Sequence, residues 1–434
     1  MKIEHLSIKD LSRRGELFRE KNIRCSVKAL IQLLRNLLAM WRLGFFFHEM
    51  GFGLLSIFLP LYLVKINPAN GLFYVGVITA IALFAAIPAS FFWGYLCDKT
   101  RHYKRYILLA FLASAVLLYL FAFTTDIALL IVIYAVMSIF HVAHEAPKNI
   151  LISELYSHQD WEKNFAFYEG FTEVGTLIGL LLGFFASYFG VSAVNTLFLI
   201  AGLNFIAFVL SAIFVVDPPM IFERSLVSIE KTVDFASHGV FLASRMIDGT
   251  GLREKLRREN ITAFSFGLVL FSLATSILFT PMPVFVSRIA PAEFVFAIYI
   301  LNSGGAIGGY ALAGKRSQEP TGKAHIAGLV LFRSLLAFIL LAALSLSSFD
   351  LLLTTGILAV MGFLFAVFMV TILALSMELI PAGKVGLINV LIGLGGAFGS
   401  FIGPFIAQVS GFLQVFVVAG AIFFAAFVFF KIFA

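Results

Sequence analysis

Charge is what this sequence lacks most. Only 13% of its 434 residues are Asp, Glu, Lys or Arg while 61% are hydrophobic, against about 25% charged and about half apolar in soluble domains. A water-soluble globular fold is excluded. Cysteine is nearly absent, and Cys25 and Cys97 give no basis for a disulfide framework or a cysteine metal site. No nucleotide-binding motif occurs, so ATP is not the expected energy source. His-Glu occurs twice, but Phe52 and Lys148 stand where a zinc hydrolase needs its second His; no enzyme, metal or cofactor is expected. The net charge of +7 sits on no foldable basic domain, which argues against nucleic acid. The N-terminus is charged and its first apolar run begins after residue 28, unlike a cleaved signal peptide.

What the chain has is apolar length. Phenylalanine alone supplies 51 residues, spread from end to end. A helix needs about 20 apolar residues to cross a bilayer, so the composition suffices for roughly a dozen crossings. Apolar runs broken by charge, Gly or Pro predict spans at 43–64, 72–93, 106–124, 127–149, 164–187 and 192–216. Six more follow at 261–287, 292–313, 325–347, 351–376, 385–409 and 412–432. Uninterrupted runs of this length fit helices, not the alternating strands of a barrel. The fold class is an all-α polytopic membrane protein.

Four segments are expected. Residues 1–39 form a cytoplasmic stretch with an interfacial helix on the stripe Leu30, Ile31, Leu34, Leu37 and Leu38. Residues 40–216 form a six-helix bundle, 217–260 a cytoplasmic linker ending in Arg253, Lys255, Arg257 and Arg258, and 261–434 a second six-helix bundle. With both termini inside, every Lys and Arg falls in a cytoplasmic segment except Lys65, Arg288 and Arg333. The positive-inside bias therefore selects that orientation. The halves also repeat weakly. Pro60 and Lys65 correspond to Pro283 and Arg288, and Gly175, Gly179 and Gly183 to Gly395, Gly399 and Gly403. Parallel repeats of this kind are a transporter architecture.

The segment Gly94-Tyr95-Leu96-Cys97-Asp98-Lys99, followed by Lys104 and Arg105, resembles the signature of the major facilitator superfamily between its second and third spans. Gly94, Asp98 and Lys99 match in register, while Arg101 replaces the turn Gly and the basic pair comes late. A degenerate copy at Gly309-Tyr310-Ala311-Leu312 lacks the acid, and Gly403-Pro404 resembles a helix ending common in that family. The resemblance implies two six-helix bundles around a central cavity, alternating access and a first helix lining the cavity. Asp98 suits the start of the third helix, and Lys99 and Arg105 can pair with Glu154; these residues are expected to latch the cytoplasmic side or only to set topology. The family's ninth helix is peripheral, so Arg333 is expected to snorkel to the cytoplasmic interface.

Ionisable groups inside a span cost about 2.5–3.5 kcal/mol each on insertion scales, so those retained are functional candidates. His48 and Glu49 lie roughly 10 Å past Arg42 at helical rise. His141, His144, Glu145 and Lys148 share one face of the fourth helix, and Glu169 and Glu173 pair at i, i+4 on the fifth. These groups are expected either to meet in one proton-coupling and substrate cluster, with Glu49 foremost, or to form a wet helix end and a buried structural network. Ser272, Thr275, Ser276, Asn302, Thr371 and Asn389 are polar candidates for the cavity or for helix packing.

The expected function is a proton-coupled secondary transporter of the plasma membrane, monomeric, whose partners are a small-molecule substrate, protons and the lipid bilayer. Phe-rich spans and the lack of an Arg pair favour a small lipophilic or cationic compound and efflux. Uptake of a small neutral solute, and a non-transporting receptor or scaffold, are the alternatives.

Overall fold

The computed structural model describes residues 40–155, 161–217, 261–316, 323–345, 351–379 and 386–433. The expected interfacial helix within 1–39, Cys25, and the expected linker beyond Asp217 lie outside the described residues. Among the described residues, twelve helices are long and apolar enough to cross a membrane. They are Arg42–Ile66, Gly71–Cys97, Tyr103–Phe121, Ile127–Ile152, Lys163–Tyr188, Ala193–Phe214, Thr262–Ser287, Ala292–Lys315, His325–Ala342, Leu351–Leu373, Val390–Val409 and Phe412–Phe433. They are numbered here as spans one to twelve. Among the described residues there is no strand, as lipid requires of backbone groups that must be satisfied within their own segment.

Local chemistry sets the ends and breaks. Asp126 Oδ1 accepts from the Ala128 N–H at 3.2 Å to start span four, and Ser192 Oγ from Asn195 at 3.3 Å to start span six. Span four is interrupted by a 3₁₀ turn at Val142–His144 before it resumes at Glu145. Pro147 explains the break: it has no N–H to offer the Ala143 carbonyl, and its ring crowds that carbonyl. Span seven is likewise broken between Phe279 and Met282, at Pro281. The residue standing for the signature's turn glycine, Arg101, has φ 56°, the left-handed conformation a glycine adopts without steric cost.

Span one packs on spans five and six, three on six, and two on four. In the second half, span seven packs on eleven and twelve, nine on twelve, and eight on ten. Two long contacts join the halves, span two with eleven and span five with eight. The glycine ladders make the tightest approaches. Cβ atoms added at Gly175 and Gly179 of span five would meet the carbonyl oxygens of Phe46 and Met50 on span one; at Gly395 and Gly399 of span eleven they would meet those of Val269 and Leu273 on span seven. Phe46 and Val269, Met50 and Leu273, and Pro60 and Pro283 are all separated by the same interval. The repeat therefore extends from sequence to helix packing, which small residues make possible.

Arg333 corrects an expectation. It does not snorkel: it is 1% exposed, with its guanidinium 5.0 Å from the ring centre of Phe271, 5.1 Å from Phe423, 5.4 Å from Phe365 and 5.8 Å from Phe279. Its Nε and Nη1 have no hydrogen-bond partner. Spans seven, ten and twelve close over it, so the side chain cannot reach a helix end. Cation–π contacts return about 0.5–2 kcal/mol each, against a desolvation cost of several kcal/mol for a buried ion. Arg333→Met is therefore expected to keep or raise the melting temperature in detergent; a fall of more than several degrees would show the guanidinium to be a net stabiliser.

Candidate functional site: a buried imidazole and carboxyl cluster

His48 on span one is fully buried. Gly51 lets span six come close, since an added Cβ there would lie 2.7 Å from Asn204 Nδ2. Asn204 donates from Nδ2 to the Ile200 carbonyl at 2.9 Å, which leaves its Oδ1 to accept from His48 Nδ1–H at 2.7 Å. The other nitrogen of that ring, Nε2, then accepts from His141 Nδ1–H at 3.0 Å. The break in span four aligns the remaining imidazole. Side chains three residues apart eclipse in a 3₁₀ turn, so His141 and His144 point the same way, and His144 Nδ1–H donates to the His141 carbonyl at 2.5 Å. Aromatic rings wall the site, with Phe111 stacked 4.3 Å from His48 and Phe52 4.3 Å from His141.

The acids adjoin it. Glu145 Oε1 lies 3.4 Å from His144 Nε2, and Glu145 Oε2 receives Lys148 Nζ at 2.6 Å. Lys148 also lies 3.7 Å from Glu169 Oε1 on span five. Half-buried Glu49 is within electrostatic reach of Lys148, Glu145, Glu169 and Glu173. At the seam between the halves Glu173 Oε1 accepts from Ser303 Oγ–H of span eight at 2.6 Å. Three carboxyls, Glu49, Glu145 and Glu169, thus gather around the Lys148 ammonium, and Glu173 adjoins Glu169. All eight ionisable residues singled out in spans one, four and five stand together.

The second-half polar residues whose side chains are described are engaged in helix contacts. Ser272 Oγ donates to the Ile392 carbonyl at 2.7 Å and Asn302 Nδ2 to the Leu358 carbonyl at 2.6 Å. Thr275 and Thr371 bond carbonyls of their own helices, Phe271 and Val367, each at 2.8 Å. Ser276 faces the ladder, its Cβ 2.8 Å from the place of a Cβ on Gly399. Asn389 lies on a helix, but its side chain is outside the described residues.

The same holds for Asp98 and Glu154 of the expected latch, each on a helix with its side chain outside the description. Gly94 has open space around it. Lys99 Nζ sits 5.7 Å from the Tyr95 ring centre, and Arg105 is exposed. The Lys104 backbone N–H donates to Asp217 Oδ1 at 2.8 Å, and His102 Nδ1 lies 3.9 Å from Asp217 Oδ2. Asp217, Asn204 and Ser303 escaped the reading of the sequence. A lone Asn or Ser in an apolar run is a weak signal, and Asp217 was visible only as the first residue of the linker.

The family model described as Major Facilitator Superfamily matches residues 43–391. No curated protein matches the chain. Among solved structures, that of a POT family transporter in complex with 5-aminolevulinic acid superposes with a TM-score of 0.66 at 13% identity, covering 91% of this chain and 95% of that one. At that identity the likeness is one of fold.

Proposed function

We propose, from the premise that this chain belongs to the major facilitator superfamily, that it couples proton movement to the alternating-access transport of a small lipophilic or cationic compound, with efflux as the direction. That it is an integral membrane protein and a secondary transporter follows from the family and the twelve spans. The proton coupling and the substrate class rest on one observation, the surplus of acid where spans one, four and five meet the seam with span eight. Three carboxyls around Lys148, with Glu173 beside Glu169, lower their mutual repulsion in low dielectric by taking up protons or a cation. Glu49, Glu169 and Glu173 are the proton carriers in this reading. The Glu173–Ser303 bond joins the halves, so a change in the charge of Glu173 alters a contact that must break when they rock.

The bundles are taken as 40–216 and 261–434 around a central cavity, joined by a cytoplasmic linker, with a monomer in the plasma membrane. Asp98, Lys99 and Glu154 are kept as the cytoplasmic latch.

The substrate class is tested by thermal shift on the purified protein. Lipophilic cations should stabilise it, less so in Glu49→Gln; stabilisation only by neutral or anionic solutes would reject the proposed class. The orientation is tested on intact cells. An impermeant thiol reagent should label Lys65→Cys from outside, whereas protection there with labelling of a cysteine in 218–260 would invert the topology.

A further inference from the structure

We propose that His48, His141 and His144 form a transition-metal site of the Zn²⁺ type, a ligand function beyond the proton coupling proposed above. One ring nitrogen from each residue lies within 4.8 Å of the others. Nitrogens bound to tetrahedral zinc at about 2.0–2.1 Å stand about 3.3 Å apart. The 3.0 Å pair of His48 Nε2 and His141 Nδ1 is already near that spacing, and the third nitrogen needs at most a shift of about 1–1.5 Å to join it.

The outer contacts are those a metal-ligating imidazole requires. Such a ring donates its second N–H to a carbonyl or carboxylate, which fixes its orientation and turns the other nitrogen's lone pair inward. His48 does so to Asn204 Oδ1 and His144 to the His141 carbonyl. Both rings are thereby oriented with the second nitrogen turned into the cluster, that of His48 toward His141 and that of His144 toward Glu145, and both are fully buried or nearly so, His48 at 0% and His144 at 1% exposed. His141 supplies Nδ1 once its proton moves to Nε2, so ligation needs no extra residue to accept a proton. Glu145 Oε1, 3.4 Å from His144 Nε2, stands beside the triad as the fourth donor and the nearest negative charge.

The donor chemistry selects the ion. Three neutral imidazoles with at most one carboxylate suit borderline first-row ions, whereas Mg²⁺ and Ca²⁺ require oxygen-rich shells. The three ligands come from two spans and are steadied by a third, so a bound ion would tie spans one and four at the broken turn Val142–His144.

The test uses the full-length chain, free of any affinity tag, stripped with chelator and dialysed against Co²⁺ or Zn²⁺. The expected result is one ion per chain, visible with Co²⁺ as intense tetrahedral d–d absorption that Zn²⁺ bleaches, with a rise in melting temperature under Zn²⁺ but not Mg²⁺. His144→Ala and His48→Ala should lose the ion. Asn204→Leu should weaken binding about 10–100-fold, the cost typical of removing an outer partner. His325→Ala, at an exposed histidine on span nine, should bind normally. A folded wild-type chain that retains no ion, or retention unchanged in the His48 and His144 variants, overturns the site. The wild-type measurement decides even if a variant fails to fold. It needs no gradient or flux, so its failure and a failure of proton coupling are read separately.

Discussion

Replacing Glu49 by Gln should abolish gradient-driven accumulation of substrate while leaving exchange at equal pH measurable. A unit of pH gradient supplies about 1.4 kcal/mol per proton, and 100 mV about 2.3 kcal/mol per charge. One coupled proton can therefore concentrate substrate by roughly two to three decades, and the variant should forfeit that whole factor. Gln keeps the volume and a hydrogen-bonding carbonyl but cannot take up and release a proton. The exchange arm separates coupling from folding, because a chain that exchanges substrate is intact. Normal accumulation in the variant would remove Glu49 from the mechanism and transfer the role to Glu169 and Glu173, whose Gln variants would then be the ones to fail.

Gly399→Leu should cost most of the folded protein. Its added Cβ would fall on the Leu273 carbonyl and within 2.8 Å of Ser276 Cβ, and the obstacle is helix backbone, which cannot rotate aside. Gly395 and Gly403 hold the same two spans in contact one turn to either side, so span eleven cannot back away locally. Overpacking costs about 1–3 kcal/mol even where side chains can give; here about 3 kcal/mol or more is expected, seen as loss of the monodisperse peak and of the thermal transition. Gly304→Leu is the control, since an added Cβ there meets nothing. Equal behaviour of the two variants would show that the ladder does not set the spacing.

The twelve spans were legible because runs of about 20 apolar residues carry their own length signal. The repeat was legible in Pro60 with Pro283 and in the ladders, and it reappears as equivalent backbone contacts. The chemistry does not repeat. The interval that relates Met50 to Leu273 sets Ser272 against Glu49 and Phe271 against His48, so a duplicated scaffold carries imidazoles in one half and, over Phe271, the Arg333 guanidinium in the other. Which titratable residues could meet was readable from their depth along each helix. How they meet was not. Spacing along span four presumed a continuous α-helix, whereas Pro147 forces the 3₁₀ turn that aligns His141 with His144. Asn204 and Ser303 owe their importance to a partner on another span, which no single run reveals. Arg333 was misplaced for the converse reason: a peripheral helix still has an inward face, and three other spans close over it.

The central claim is most directly tested by measuring proton and substrate movement together in proteoliposomes containing the wild-type chain and a pH-sensitive dye. With a compound that shifts the melting temperature, its addition should drive a proton flux opposite to its own. An imposed pH gradient should concentrate it on the acidic side, and the gradient should collapse faster with substrate than without. Substrate flux that leaves the dye unchanged and ignores the imposed gradient would contradict the account.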